Sequence, residues 1–403
     1  MSISAHAPNP RLLRNVTDFS LVLGGPLFQM LRRAHLSDNQ LHLVGQRIAV
    51  IALFCWLPLL ILAGIDGNLL HGKLAVPFLY DFEAHGRFLV VVPLLIIAEL
   101  VVHLRMRELV AQFQERQLIP PGAIARFEAA LASAMRLRNS TVAELALIGV
   151  VYSLGVQLIW RQYTALDAST WYSIASGEGT SLTLAGYWFG YISLPVFQFL
   201  LLRWYFRLFI WMRFLWQVSR IELALSPIHP DRLGGLGFLS GTAYAFMPLL
   251  LAHGALLAGN LANRILYLGA TLPSFKFEII TLLVVMLAMV LGPLLVFAPQ
   301  LAQAKRNGLL EYGALAQRYV REFDTKWMRG ATPQGESLLG STDIQSLSDL
   351  NNSLRIVAEM RFAPITRDTL MRLTVAVLAP LAPLVLTMMP LEELVKRLIT
   401  VIF

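Results

Sequence analysis

Residues 48–65 read IAVIALFCWLPLLILAGI, a run with no charged side chain at any position. A helix that crosses a bilayer needs about 20 consecutive, mostly apolar residues. Six further runs of this kind follow, at 88–104, 142–160, 185–202, 238–261, 277–298 and 370–389. The second and third runs each carry one carboxylate. The seventh carries Arg372, Pro380 and Pro383 and reads as a span that is broken or re-entrant. The pattern predicts an all-α integral membrane protein, a polytopic bundle of about seven transmembrane helices.

The composition agrees. Of 403 residues, 56% are hydrophobic and 14% charged, and the mean hydropathy is +0.61. Soluble domains average roughly 45–50% apolar and about 25% charged residues. Soluble and disordered classes are therefore excluded. Cys55, the single cysteine, leaves no intramolecular disulfide and no cysteine metal site. It reads as a small buried hydrophobe. The first 46 residues lack the apolar core expected of a cleavable signal peptide. Ser2 follows Met1 where a myristoyl acceptor would need glycine, and no CaaX motif offers a prenyl site, so neither lipid anchor is expected.

The net charge of +8 is distributed by topology. Lysines and arginines in alternate connecting segments number 25 on one side and 7 on the other. The basic side is expected to be cytoplasmic. It holds the N-terminus and the loops at 105–141, 203–236 and 299–369. The expected location is a bacterial inner membrane with the N-terminus inside. The same asymmetry removes the charge argument for nucleic acid. Trp204, Trp211 and Trp216 beyond the fourth run, with Trp160, Trp171 and Trp188 near the opposite side, fit two interfacial aromatic belts.

Four regions follow. Residues 1–46 form an N-terminal segment, with an interfacial element at 19–33. Residues 47–300 hold six spans, with a helical hairpin at 105–138 broken at Pro120-Pro121-Gly122. Residues 301–368 form a cytoplasmic helical segment, apolar at Leu309, Tyr312, Leu315, Tyr319 and Phe323. Residues 369–403 hold the seventh run and a C-terminal amphipathic helix. In that tail Leu391, Leu394, Leu398 and Ile402 make one stripe, with Glu392–Lys396 and Glu393–Arg397 pairs.

Most of the spans contain proline, which kinks helices and frees carbonyls. The fifth run is rich in small residues, and Gly237/Gly241, like Gly186/Gly190, has the spacing of close helix contacts. This fits a tight bundle and a homo-oligomer.

Ionisable residues in spans cost roughly 2.5–3.5 kcal/mol on insertion scales, so each invites a functional reading. Glu99 and His103 share one helix face. His253, Asn260 and Asn263 form a polar stripe on the fifth run. Together these five are the candidates for lining or gating a path. Interhelical hydrogen bonding is the plainer alternative for each. Arg203, Arg207 and Arg213 lack the regular spacing of a voltage sensor and read as contacts to anionic lipid headgroups. The loop before the fifth run, with His229, Asp231, Arg232, Gly234 and Gly235, offers amides and side chains to an anion or headgroup. Equally, it has the chemistry of a rigid turn.

No GxSxG, HExxH, Walker loop or EF-hand pattern occurs, and no metal or cofactor is expected. The leading expectation is a pore or transport protein, a homo-oligomeric ion channel lined by the second and fifth spans and passing an ion or small solute. The alternative is a membrane-embedded enzyme or lipid-handling protein that works at the 229–235 loop.

Overall fold

The computed structural model describes residues 19–36, 41, 43–70, 74, 76–160, 170–176, 179–330 and 341–388. The amphipathic tail expected at 391–403 lies outside the described residues. Most of the described residues are helical. Helices α1 (Pro26–Arg33) and α2 (Val44–Ile65) lead into α3 (Phe82–Glu115). A bent pair follows, α4 (Pro121–Arg138) and α5 (Thr141–Val156), with 47° between its members. Then come α6 (Leu184–Val218), α7 (Leu236–Leu268), α8 (Leu272–Met328), α9 (Thr342–Ala358) and α10 (Arg367–Met388). One hairpin of strands β1 (Ser173–Ser176) and β2 (Gly179–Leu182), with Ser173 opposite Leu182, precedes α6.

Among the described residues six helices are long and apolar enough to cross a membrane, or seven if the bent pair counts as one span. This length and composition point to a membrane location. The third apolar run differs from a plain straight span. Ser140 interrupts the helix, and its hydroxyl accepts the Ala143 N–H at 3.2 Å to start α5 afresh. The outer face of α2 is apolar and exposed at Leu53, Phe54, Leu57 and Ile61.

Proline shapes the spans without ending them. Single wide turns of π type occupy Gly86–Val91 and Phe189–Ser193, just ahead of Pro93 and Pro195. A proline lacks the N–H for an α-type bond and pushes on the carbonyl four residues back. One wider turn absorbs both effects while the helix continues. Tight turns do the same beside Pro293 and Pro380.

Helix α7 is the hub, packed on α3 along one side and on α10 along another. Its glycines permit this contact. A Cβ on Gly254 would lie 2.1 Å from the Val377 carbonyl oxygen of α10. One on Gly259 would lie 3.0 Å from the Phe82 carbonyl oxygen of α3. Beyond Phe297, α8 becomes amphipathic and pairs with α9. The Asp343 carboxylate at the start of α9 accepts hydrogen bonds from Lys326 Nζ at 2.8 Å and Trp327 Nε1 at 3.0 Å. These bonds hold the Asp343 carboxyl below the usual carboxylate range.

Candidate functional site

Glu99 is buried on α3, where three arginines converge on it. Arg47 of α2 approaches to 2.6 Å, and Arg207 and Arg203 of α6 to 2.7 and 3.7 Å. Arg203 also faces Glu144 of α5 at 3.5 Å. The arginines come together because 203 and 207 lie one turn apart on α6, which packs beside α3. All three are buried, and Arg47 is only 2% exposed. Three cations therefore face two carboxylates. Arg138 lies at the edge and adds a fourth cation, donating to the Ser20 carbonyl at 2.6 Å.

The N-terminal segment closes one side of this cluster. Phe19, Ser20, Leu21 and Val22 are buried, and Phe19 packs on Trp211 and Phe214. The Ser20 hydroxyl sits 2.9 Å from His103 Nδ1 and accepts the Val22 and Leu23 N–H groups. Gly24 and Gly25 adopt positive φ, where a side chain would strike Asn139 or Glu144. The turn they make delivers the N-terminus of α1 to Glu144, whose carboxylate accepts the Leu27 N–H at 2.8 Å.

A cavity of about 440 Å³ opens beside the cluster. Arg47, Glu99 and Arg203 stand in its wall, with Leu27 and Leu31 of α1 over it. The rest of the wall is apolar, including Ile51, Phe54, Leu95, Ile148, Phe199 and Leu200. The polar atoms of the other lining side chains are already engaged. Trp204 Nε1 donates to the Leu95 carbonyl at 3.0 Å, and the Tyr152 hydroxyl to the Tyr191 carbonyl at 3.4 Å. Arg47 Nε is buried with no hydrogen-bond partner. Arg203 makes only long contacts, including 3.5 Å to the Gly24 carbonyl. The site thus combines unspent guanidinium donors with a large apolar chamber.

The five residues considered as a lining fall into three places. Glu99 and His103 belong to the arginine cluster and the Ser20 contact. His253 joins α7 to α6: its Nε2 lies 2.7 Å from the Tyr205 hydroxyl and its Nδ1 2.7 Å from the Leu249 carbonyl. Asn260 and Asn263 fasten the start of α3, donating to Glu83 at 3.1 Å and to Asp81 at 2.8 Å. Asp81 also accepts from Trp171 Nε1 at 2.8 Å, and Glu83 pairs with Arg87.

The three arginines read as headgroup contacts are buried or half-buried. Arg203 and Arg207 are buried among helices, because the N-terminal segment and the α4–α5 pair cover that end of α6. Arg213 is half-buried and donates to Ser133 of α4 at 2.7 Å. The 229–235 loop is folded around Asp231, whose carboxylate accepts the N–H groups of Leu233, Gly235 and Gly237 at 2.8, 3.2 and 2.8 Å. His229 Nδ1 lies 2.9 Å from the same carboxylate, and Arg232 pairs with Glu359. These amides are spent inside the loop. Among the described residues no group of three or more His, Cys, Asp and Glu side chains could hold a metal ion.

Arg47, Glu144 and Ser20 were not read from the sequence as members of a site. The available signal was one carboxylate in each of two apolar runs, with arginines at the mouths of neighbouring runs. No protein family, curated protein or solved structure matches this chain.

Proposed function

We propose that this protein handles lipids: it binds an acidic amphiphile drawn sideways from the bilayer, with the head at Arg47 and Arg203 and the tail in the apolar chamber. The observation that carries this reading is the surplus of buried arginine beside that chamber. A buried charge without a partner costs several kcal/mol even after relaxation. An anionic head offsets that cost and gives Arg47 Nε and Arg203 strong, charge-assisted acceptors. The chamber lies between α2, α5 and α6, and its rim residues Val50, Phe54 and Tyr152 are exposed on the apolar outer face. By the distribution of lysine and arginine, the head would sit toward the cytoplasmic leaflet.

The channel reading ranks second. Its proposed lining side chains each have a local partner, and Glu99 and Asn263 line different cavities. The reading centred on the 229–235 loop is weaker still, because Asp231 occupies the amides that would meet an anion.

The test is lipid analysis of protein purified in mild detergent. An acidic amphiphile should be enriched with the wild type over the host membrane and lost from Arg203→Gln. Equal lipid profiles for both proteins, with reproducible single-channel currents from the wild type, would favour the channel reading.

A further inference from the structure

We infer that the chamber takes a single-chain acidic amphiphile, whose head is a carboxylate or a phosphate, and excludes lipids with two acyl chains. This rests on the lipid-handling reading above and narrows its ligand. Three features support the restriction.

The first is size. A cavity of about 440 Å³ holds on the order of 15 groups the size of a water or methylene, at ~30 Å³ each. That corresponds to one long chain.

The second is the chemistry of the wall. A two-chain lipid carries a glycerol unit with two ester carbonyls just below its head. Buried polar atoms need hydrogen-bond partners. Below Arg47, Glu99 and Arg203 the wall offers none in its depth, since Trp204 Nε1 is committed to the Leu95 carbonyl and the Tyr152 hydroxyl lies at the exposed rim. A single alkyl chain attached directly to the acid needs none.

The third is the head itself. Arg203 is loosely held and can turn its N–H groups toward one small oxyanion, while Arg47, fixed to Glu99 at 2.6 Å, keeps an unpartnered Nε beside it. Larger heads meet α1, where Leu27 and Leu31 cover the chamber. No free carboxylate awaits a choline or ethanolamine amine, because Glu99 and Glu144 are already turned to arginines and to the start of α1.

The experiment uses full-length protein stripped of lipid in a neutral detergent. It is titrated with palmitate, hexadecyl phosphate, a two-chain phosphatidate and hexadecylphosphocholine, and bound adducts are counted by native mass spectrometry. Two variants accompany the wild type. Arg203→Gln removes a head donor. Val196→Phe fills the chamber and leaves every charge in place, so it reports on binding even if the arginine variant folds poorly.

One palmitate or one hexadecyl phosphate should bind per chain, weakened about tenfold or more in each variant, a loss of roughly 1.4 kcal/mol or more. Which of the two binds tighter distinguishes a carboxylate from a phosphate head. Phosphatidate bound as tightly as the single-chain acids would overturn the restriction and leave the lipid-handling reading intact. Hexadecylphosphocholine bound as tightly as hexadecyl phosphate would overturn the demand for an acidic head. No binding of any acid, or binding unchanged in both variants, would overturn the lipid-handling reading itself.

Discussion

Arg203 stands 3.7 Å from Glu99 and 3.5 Å from Glu144, close to both carboxylates and in tight contact with neither. Arg207, one turn further along α6, donates to Glu99 at 2.7 Å. The two arginines therefore differ in what their removal does. Arg207→Gln breaks a tight buried pair, a change that typically costs about 3–5 kcal/mol. Arg203→Gln removes the loosely held cation and leaves Glu144 the Leu27 N–H, so it should cost about 1 kcal/mol or less. Denaturant unfolding of the two variants in detergent checks the ordering. Equal losses would show that the arginines share the carboxylates evenly.

Glu99→Gln tests the same balance from the other side. The variant takes from Arg47 and Arg207 the carboxylate they pair with and leaves Arg203 with Glu144. Unfolding stability should fall by about 3–5 kcal/mol, and pairing it with Arg203→Gln should recover part of the loss. A double-mutant cycle measures this coupling. Strict additivity would mean that the two groups do not sense each other.

His253 is expected to act as a strut between helices. Tyr205→Phe removes its partner at 2.7 Å and should cost about 0.6–1.7 kcal/mol, the range of interhelical hydrogen bonds in membranes. His253→Ala should lower stability and leave lipid retention unchanged. Loss of retention in His253→Ala at unaltered stability would assign the histidine to the site.

The glycines of α7 and α8 give a matched pair. Gly254→Ala puts a methyl group 2.1 Å from the Val377 carbonyl oxygen and should destabilise the α7–α10 contact by about 1–3 kcal/mol. At Gly313 of α8 a Cβ meets nothing within 4 Å. There alanine should stabilise the helix by up to about 1 kcal/mol. Thermal unfolding of the two variants should shift in opposite directions.

The α8–α9 hairpin carries a pH signature. Hydrogen bonds from Lys326 and Trp327 lower the Asp343 pKa below its ordinary value of 3.8. A depressed carboxylate contributes stability that is present above the unfolded value. That contribution is lost as pH falls through 3.8 toward the folded pKa. Hydrogen exchange across α9, compared between wild type and Asp343→Asn, should converge in that acidic window and diverge above it.

Much of the helical frame is legible in the sequence, because apolar runs and proline positions are local signals. The wide turns ahead of Pro93 and Pro195 accompany prolines that the sequence displays. The site is less legible because its partners are distant in the chain. Glu99 and Arg207 lie 108 residues apart, and no local pattern says that α2 and α6 meet at α3. Arg203 and Arg207 follow an apolar run and so resemble interfacial arginines. Only the covering of that end by residues 19–25 and by α4–α5 makes them interior. Arg47 sits just ahead of the first apolar run and counts there as a loop charge. The polar stripe on α7 was visible, but its partners Tyr205, Glu83 and Asp81 lie on other elements. Without those partners a hydrogen-bonded seam and a hydrated wall look alike.

An electron cryomicroscopy map of the protein extracted with its native lipid tests the proposal that an acidic amphiphile fills the chamber beside Arg47 and Arg203. Elongated density is expected between Phe54, Phe199 and Tyr152, with its head within hydrogen-bond distance of both guanidinium groups. A chamber closed by side chains, or one holding only separate peaks of water at the arginines, would contradict it.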